Sequence, residues 1–334
     1  MSNESLSIKS LIQKLEKARG SRVICYLTGD KPAMPPLNFS TKVAIDVLPL
    51  FTDILESFKT RPKKISLVLD TTGGNLDAPW PLVNLIREYC DDFEVIVLTR
   101  ALSAGTLICL GADKIIMSES SQLSPVDPAR TMSDGNNKLK NLEVEDIAGY
   151  IDFIKKKVGI TEQSGLTEVT KELTKEVDPT IIGSVNRTHY LIRRIAKNLM
   201  ALSKNKLQDK QVNEVVEYLT EKLYSHRHFI NRREAKDIIG LGSVIEYSPK
   251  TTKDITMDMM RSFSELLQSK ELFDPVKLLG GKGEIDYILP RALVYSSDKK
   301  YNFQSYYKIS GVSDPSGAPG LNINEFRSGW ELVK

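Results

Sequence analysis

The segment LTRALSAGTLICLGAD, residues 98–113, joins an apolar run to an apolar helical sequence. The run from Val95 to Leu98 predicts a short buried strand, and the residues from Ala104 to Gly111 predict a helix. Ser103 therefore falls at a strand-to-helix turn, where the free N–H groups of the first helical turn can hold negative charge. A serine in that place either caps the helix or acts as a nucleophile beside the oxyanion that it creates.

A second strand and turn precede this one, in the sequence ISLVLDTTGGN, residues 65–75. The adjacent Gly73 and Gly74 let the backbone bend so that amides face a cleft. Two consecutive strand–turn–helix units bring both turns to the same edge of a parallel sheet. One turn then supplies amides and the other a hydroxyl, which is a combination suited to acyl transfer.

The chain resembles a known family in these motifs and in two that follow them. The glycine pair, Ser103-Ala-Gly-Thr106, LGADKIIM at 110–117 and SPVDP at 124–128 are similar to those of the serine dehydrogenase proteinase family. That family belongs to the Clp protease/crotonase superfamily, beside signal peptide peptidase A. The similarity runs from Ser21 to about Leu241, and more loosely to the C-terminus.

The resemblance implies an α/β fold, a crotonase/Clp-protease-like spiral of β-β-α units with a helical arm and a small C-terminal β-rich extension. We expect an N-terminal helix at 1–20, a core at 21–245 that includes a helical insertion at 143–225, and the extension at 246–334. Residues 118–142 are polar and predict a loop over the site. Residues 291–309 predict a hairpin, followed by a turn-rich tail at 311–334.

The resemblance also implies roles for individual residues. Ser103 would be the nucleophile, and the oxyanion hole would come from the glycine turn (Gly73, Gly74) and Ala104. Clp-type peptidases place a histidine downstream of the serine, but the corresponding stretch here, Leu123-Ser-Pro-Val-Asp127, contains none.

The general base therefore has several candidates. Signal peptide peptidases use a lysine, and Lys138 and Lys140 follow Ser103 in the polar loop, although each also fits a solvated surface lysine. His226 fits the family pattern before the helix that closes the core, and it is the alternative base. His228 and His189 fit structural roles better.

Composition excludes several functional classes. The 46 basic and 43 acidic residues give a net charge of +3, which requires neither nucleic acid nor an anionic membrane as partner. No apolar stretch is long enough to span a bilayer, and no secretory signal is evident. The three widely spaced cysteines predict reduced thiols in a cytoplasmic protein, and the sequence predicts neither a metal site nor a cofactor.

The sequence thus predicts a serine peptidase, with a Ser-Lys dyad favoured, acting on a peptide or protein. Helical arms build oligomers in this superfamily, so a homo-oligomer is expected. Two other functions remain open. One is a crotonase-like acyl-CoA enzyme, which needs the two-amide hole but no serine, and the other is a non-catalytic oligomeric scaffold of the same fold.

Overall fold

The computed structural model describes residues 7–33, 37–126, 129–133, 139–223, 225, 228–313 and 319–333. Its strands are β1 Arg22–Thr28, β2 Lys64–Thr71, β3 Asp92–Ala101, β4 Lys114–Met117, β5 Gln122–Leu123, β6 Ala129–Ser133, β7 Leu139–Glu143, β8 Ile230–Asn231, β9 Ile245–Tyr247, β10 Glu284–Tyr295, β11 Lys300–Ser313 and β12 Pro319–Leu332. Its α-helices are α1 Ile8–Arg19, α2 Leu48–Glu56, α3 Pro79–Glu88, α4 Ala104–Leu110, α5 Val144–Phe153, α6 Gln163–Glu176, α7 Pro179–Leu202, α8 Asp209–Glu217, α9 Lys250–Leu266 and α10 Pro275–Leu279.

One large mixed sheet forms the centre of the molecule, with the order β12-β11-β10-β1-β2-β3-β4-β9. From β1 to β9 neighbouring strands are parallel, whereas β10, β11 and β12 are antiparallel to their neighbours. The inner parallel strands are buried almost throughout because helices cover both faces, which is why they are nearly continuous apolar runs. This arrangement is a Clp-protease-like α/β fold and confirms the predicted fold class.

The two faces of the sheet carry separate cores. On one face α2, α3, α4 and α7 pack onto the strands in the larger hydrophobic cluster. On the other face α1 and α9 cover a smaller cluster that includes Val68, Ile96 and Leu98. Alternation of side chains along each strand therefore decides which layer a residue joins.

Prolines mark the starts of two core helices. Pro49 lies in the first turn of α2, and Pro79 and Pro81 lie in the first turn of α3. In a first turn the missing N–H of proline removes no intrahelical hydrogen bond. Pro49 therefore lies at the start of α2 and does not kink a longer helix.

Two regions differ from the expectation. Residues 118–142 carry β5 and most of the antiparallel hairpin β6–β7 instead of one loop. The C-terminal tail forms the long strand β12 on the edge of the sheet, although Pro319, Gly320 and Gly329 favour turns. Pairing with β11 along its whole length stabilises β12 where its own residues do not.

The C-terminal strands are continuous with the core, because β10 pairs with β1. The boundaries at 20, 245 and 334 stay a prediction. Among the described helices, none has the length and apolar character needed to cross a bilayer.

Candidate active site

Ser103 lies between β3 and α4 in a strained backbone conformation, with φ 49° and ψ −111°. In the described residues only one other non-glycine residue, Gln268, has a positive φ. Such a conformation costs on the order of 1–3 kcal/mol and persists only where the surrounding structure enforces it. A sharp, strained strand-to-helix turn is also the setting that exposes the nucleophilic serine of α/β-hydrolases.

Hydrogen bonds on both sides enforce this turn. The Ser103 amide donates to Ser124 Oγ at 2.8 Å. Thr106 Oγ1 lies 2.8 Å from the carbonyl oxygen of Ala101 and accepts from the Ser124 amide at 3.1 Å. All of α4 is buried, so the helix cannot shift to relieve the strain. Ser103 Oγ itself makes no hydrogen bond within the described part of the chain, and the residue is partly exposed.

The glycine turn lies against the serine turn, as the sequence predicted. Gly73 has φ 100°, and a Cβ built on it would lie 2.8 Å from Ser103 Cβ and from the Leu102 carbonyl oxygen. A Cβ on Gly74 would lie 2.2 Å from the carbonyl oxygen of Val43. Both contacts are shorter than real Cβ atoms tolerate. The missing side chain of Gly73 therefore lets the serine turn approach, and that of Gly74 lets the backbone of Val43 approach.

The backbone hydrogen bonds leave two amides available. Val43 donates to the Gly73 carbonyl at 2.8 Å, and the Asn75 amide donates to the Val43 carbonyl at 2.7 Å. Val43 and Gly74 thus form a parallel β-bridge, in which the N–H of Gly74 points away from Val43. Across the described residues, neither the Gly74 amide nor the Ala104 amide has an acceptor. A Cβ on Gly73 would lie 3.5 Å from the Ala104 nitrogen, which puts the two turns within reach of one small group.

Gly73 differs from Gly74, because its amide donates to Thr71 Oγ1 at 3.0 Å. Thr71 Oγ1 also accepts from Thr28 Oγ1 at 2.7 Å. The threonine pair therefore anchors the glycine turn to the ends of β1 and β2. Sequence reasoning did not identify Thr28, Thr71 or Ser124, since their roles depend on contacts between different strands.

Three base candidates stay untested. Lys138 and His226 lie outside the described residues. Lys140 pairs with Met132 in the β6–β7 hairpin through its backbone, and its side chain is not described.

The two described histidines have carboxylate partners instead. His228 Nε2 lies 2.8 Å from Glu234, and His189 Nε2 lies 3.3 Å from Glu221. Burial lowers the pKa of His189, opposed by the charge of Glu221.

A largely buried carboxylate, Asp70, precedes the glycine turn. It accepts from the Thr99 amide at 3.2 Å and from Thr99 Oγ1, and the Nε atom of Arg100 lies 3.7 Å away. Burial raises the pKa of Asp70 to about 6, opposed by the hydrogen bonds from Thr99 and the charge of Arg100. Asp70 borders a cavity of about 310 Å³ on the α9 side of the sheet.

Metal binding finds no support in the described residues, where no group of three or more His, Cys, Asp or Glu side chains is placed to hold an ion.

Comparison with known families finds a match for the first part of the chain. Residues 2–153 match the family described as ClpP-like SDH-type serine proteinase. The predicted resemblance is confirmed over these residues. They contain both the glycine turn and Ser103, and the match supports a serine peptidase.

Two proteins of Methanocaldococcus jannaschii are similar in sequence, and both are called uncharacterized. MJ0137 is 27% identical over 188 residues, which are 56% of each chain. MJ1495 is 22% identical over 234 residues, which are 68% of each chain. The chain therefore aligns with little more than half the length of MJ0137.

Two solved structures are similar at a low level. Both are mutants of a 1510-N membrane-bound stomatin-specific protease, and one is in complex with a substrate peptide. The first has 18% identity, a TM-score of 0.38 and coverage of 68% of this chain and 79% of its own. The second has 18% identity, a TM-score of 0.37 and coverage of 69% and 76%. Similarity at this level transfers no activity to this chain.

Proposed function

We propose that this protein is a serine peptidase that hydrolyses peptide bonds through Ser103. The observation that carries the proposal is the strained backbone of Ser103, whose hydroxyl has no hydrogen-bond partner among the described residues and lies next to the Gly73–Gly74 turn. A helix cap gains nothing from such strain, whereas a nucleophile must be presented to a substrate. The family match over residues 2–153 supports the same activity.

In the proposed reaction Ser103 Oγ attacks the carbonyl carbon of the scissile bond, and its proton passes to a general base. The base then protonates the leaving amine as the tetrahedral intermediate collapses to an acyl-enzyme. Water, deprotonated by the same base, attacks the acyl carbon and releases the carboxylic acid with Ser103 restored.

The oxyanion hole would use the amides of Gly74 and Ala104. Both are free of acceptors among the described residues, and both lie on the turns that meet at Ser103. Removing one donor from such a hole typically costs about 10²–10³ in rate. Gly73 was predicted as a third donor, but its amide already donates to Thr71. We propose that Gly73 instead provides the close approach of the two turns.

For the base we propose a lysine, Lys138 or Lys140, with His226 as the alternative. The stretch where Clp-type enzymes carry a histidine holds Ser124, which instead accepts from the amide of Ser103. A lysine acts as a base only when neutral, and burial near Ser103 would lower its pKa by disfavouring the charged form.

The substrate would be a peptide or an unstructured protein, and the working form a homo-oligomer. The helical arm, which is the insertion at 143–225, supports the homo-oligomer. Helix α6 has no buried residue, and Phe153, Val158 and Tyr190 are more than half exposed. Location in a reducing, cytoplasmic compartment stays a prediction from the cysteine pattern.

Hydrolysis of an unstructured protein such as casein tests the proposal. We expect Ser103→Ala to abolish hydrolysis with an unchanged fold, and Ser120→Ala, an exposed serine, to leave it intact. Lys138→Ala, Lys140→Ala and His226→Ala, each assayed across pH, identify the base, whose loss should remove the pH dependence near neutrality. Unchanged hydrolysis by Ser103→Ala would disprove the assignment. If both lysine variants are active and His226→Ala is inactive, the site is a serine–histidine one.

A further inference from the structure

The strands that carry the two proposed catalytic turns change register just before those turns. Along most of their length β2 and β3 pair residue for residue, up to Leu69 with Val97. The next pair is Thr71 with Ala101. One residue of β2, Asp70, therefore faces three residues of β3. An irregularity of this kind leaves unpaired backbone groups and reorients the residues that follow it.

The side chain of Asp70 fills this irregularity. Its Oδ2 accepts from the amide and the hydroxyl of Thr99, one of the three residues of β3 that face Asp70. Its Oδ1 lies 3.7 Å from Nε of Arg100, the next of these three residues. The Asp70 side chain is 14% exposed, so a donor left without this carboxylate would be poorly compensated by water.

A second carboxylate, Asp30, connects Arg100 to the segment that contains Val43, beside Gly74. Asp30 accepts from Arg100 at 3.2 Å and from the Thr41 amide at 3.3 Å. Two residues after Thr41, the backbone of Val43 forms hydrogen bonds with Gly73 and Asn75, the residues on either side of Gly74. Arg100 thus lies between two carboxylates, one on each segment that supports the glycine turn.

We propose that Asp70 is a positioning residue that fixes the register between the glycine turn after Thr71 and the serine turn after Ala101. The proposal rests on the proposed function, since it concerns the geometry of that same site. Among the described residues Asp70 makes no hydrogen bond to Ser103, and it acts on the site through the bulge. Misplacing reacting groups by about 1 Å can lower the rate about 10²-fold, so the reaction rate should depend strongly on the register between the two turns.

The charge state of Asp70 should matter as well as its presence. The charged groups around it are Arg100 and Asp30, and Lys270 lies on the wall of the same cavity. The other walls of that cavity are largely apolar, and burial holds the pKa of Asp70 at about 6. Protonation turns one carboxyl oxygen into a donor and weakens the attraction to Arg100. The geometry of the two turns should therefore change as the pH passes through about 6.

Glu94 provides a matched control at the other end of the same strands. It is a buried carboxylate on β3, it accepts from Ser66 of β2 at 2.5 Å, and it pairs with Arg19 at 2.7 Å. Glu94→Gln removes a comparable buried charge far along β3 from the two turns. A purely structural effect should appear in this variant as strongly as in the Asp70 variants.

The test measures the rate constant for modification of Ser103 by a fluorophosphonate, across pH 5 to 8, below the unfolding temperature of every variant. We expect Asp70→Ala to react at least about tenfold more slowly than wild type. Asp70→Asn, which keeps one acceptor, should be intermediate and should lose the inflection near pH 6. Glu94→Gln should react at the wild-type rate. A wild-type rate in Asp70→Ala, or an equal loss in Glu94→Gln, would overturn the proposal.

Backbone hydrogen exchange keeps the two proposals distinguishable. An unreactive Ser103 in the wild type would refute the proposed function, whereas a reactive wild type with unaffected Asp70 variants would refute only the positioning role. If Asp70 has the positioning role, exchange in residues 71–76 and 99–106 should be faster in Asp70→Ala, by on the order of tenfold, and unchanged in Glu94→Gln, whether or not Ser103 reacts with the probe. Unchanged exchange in Asp70→Ala would overturn the positioning role by itself.

Discussion

Ser103 combines a strained backbone with the hydroxyl that we propose as the nucleophile. Its φ of 49° suits glycine, yet the position holds a residue with a Cβ and a hydroxyl without a partner among the described residues. Strain of this kind marks functional sites because it is retained at the expense of stability. The free energy of unfolding and the activity should therefore respond in opposite directions at this position.

We expect Ser103→Gly to raise the free energy of unfolding by roughly 1 kcal/mol relative to Ser103→Ala, because glycine adopts a positive φ without strain. Both variants should lack peptidase activity. Neither variant has the hydroxyl, so their difference in the free energy of unfolding, measured by chemical denaturation, reports the backbone strain. Equal stability of the two variants would contradict the assigned strain.

Asp70 gives a second prediction for one residue. Burial raises the pKa of Asp70 from 3.8 to about 6, so the native state holds this proton more tightly than the unfolded state does. Its contribution to stability is therefore complete below about pH 4 and is lost as the pH rises through about 6. At about 1.4 kcal/mol per pKa unit, the loss amounts to roughly 3 kcal/mol.

Denaturation of wild type and Asp70→Asn between pH 4 and about 7 measures this effect. The free energy of unfolding of the wild type, relative to that of Asp70→Asn, should fall by roughly 3 kcal/mol as the pH rises, because asparagine does not titrate. A difference that stays constant with pH would show that the pKa of Asp70 is not raised.

Among the structural elements, the helices and inner strands follow from the sequence most directly. Prolines mark helix starts, and apolar runs such as Lys64–Thr71 mark strands buried on both faces. The edge strand β12 could not be predicted in this way, because its pairing with β11 comes from tertiary structure. The glycine turn was predicted because it needs a residue type that is visible in the sequence.

Because the turn requires glycine, we expect Gly→Ala substitutions to have opposite effects at Gly74 and at Gly183. Gly74→Ala should destabilise the protein and abolish activity, because the new Cβ would lie 2.2 Å from the Val43 carbonyl oxygen. Gly183→Ala, within α7, meets no atom within 4 Å and should stabilise the protein by about 0.5–1 kcal/mol with activity unchanged. Thermal unfolding and the casein assay measure both effects. A stable, active Gly74→Ala would contradict the close approach of the Val43 backbone to Gly74.

At the scale of the whole molecule, the parallel sheet brings the ends of β2 and β3 together, and with them the two predicted motifs. Their meeting was predictable, because parallel strands end at a common edge. The supporting contacts were not, since the hydrogen bond of Ser103 to Ser124 and that of Asp70 to Thr99 depend on the register of the folded strands. Nothing in the local sequence around Asp70 separates it from an ordinary turn residue.

The helical arm predicts an assembly. Tyr190 of α7 is 66% exposed, and α6 buries none of its residues in one chain. Light scattering at micromolar concentration should give a multiple of 37.4 kDa. Tyr190→Glu should reduce that mass, whereas Ile238→Glu, at an equally exposed position outside the arm, should not. A monomeric mass for the wild type would contradict the proposed oligomer.

The central claim is that Ser103 is a nucleophile, and labelling with a fluorophosphonate tests it most directly. The full chain is treated with the probe, and the modified residue is identified by mass spectrometry of its peptides, with Ser103→Ala as the control. We predict one adduct per chain, on Ser103, and none in the variant. A wild-type chain that stays unmodified, or a Ser103→Ala variant labelled to the same extent, would contradict the claim.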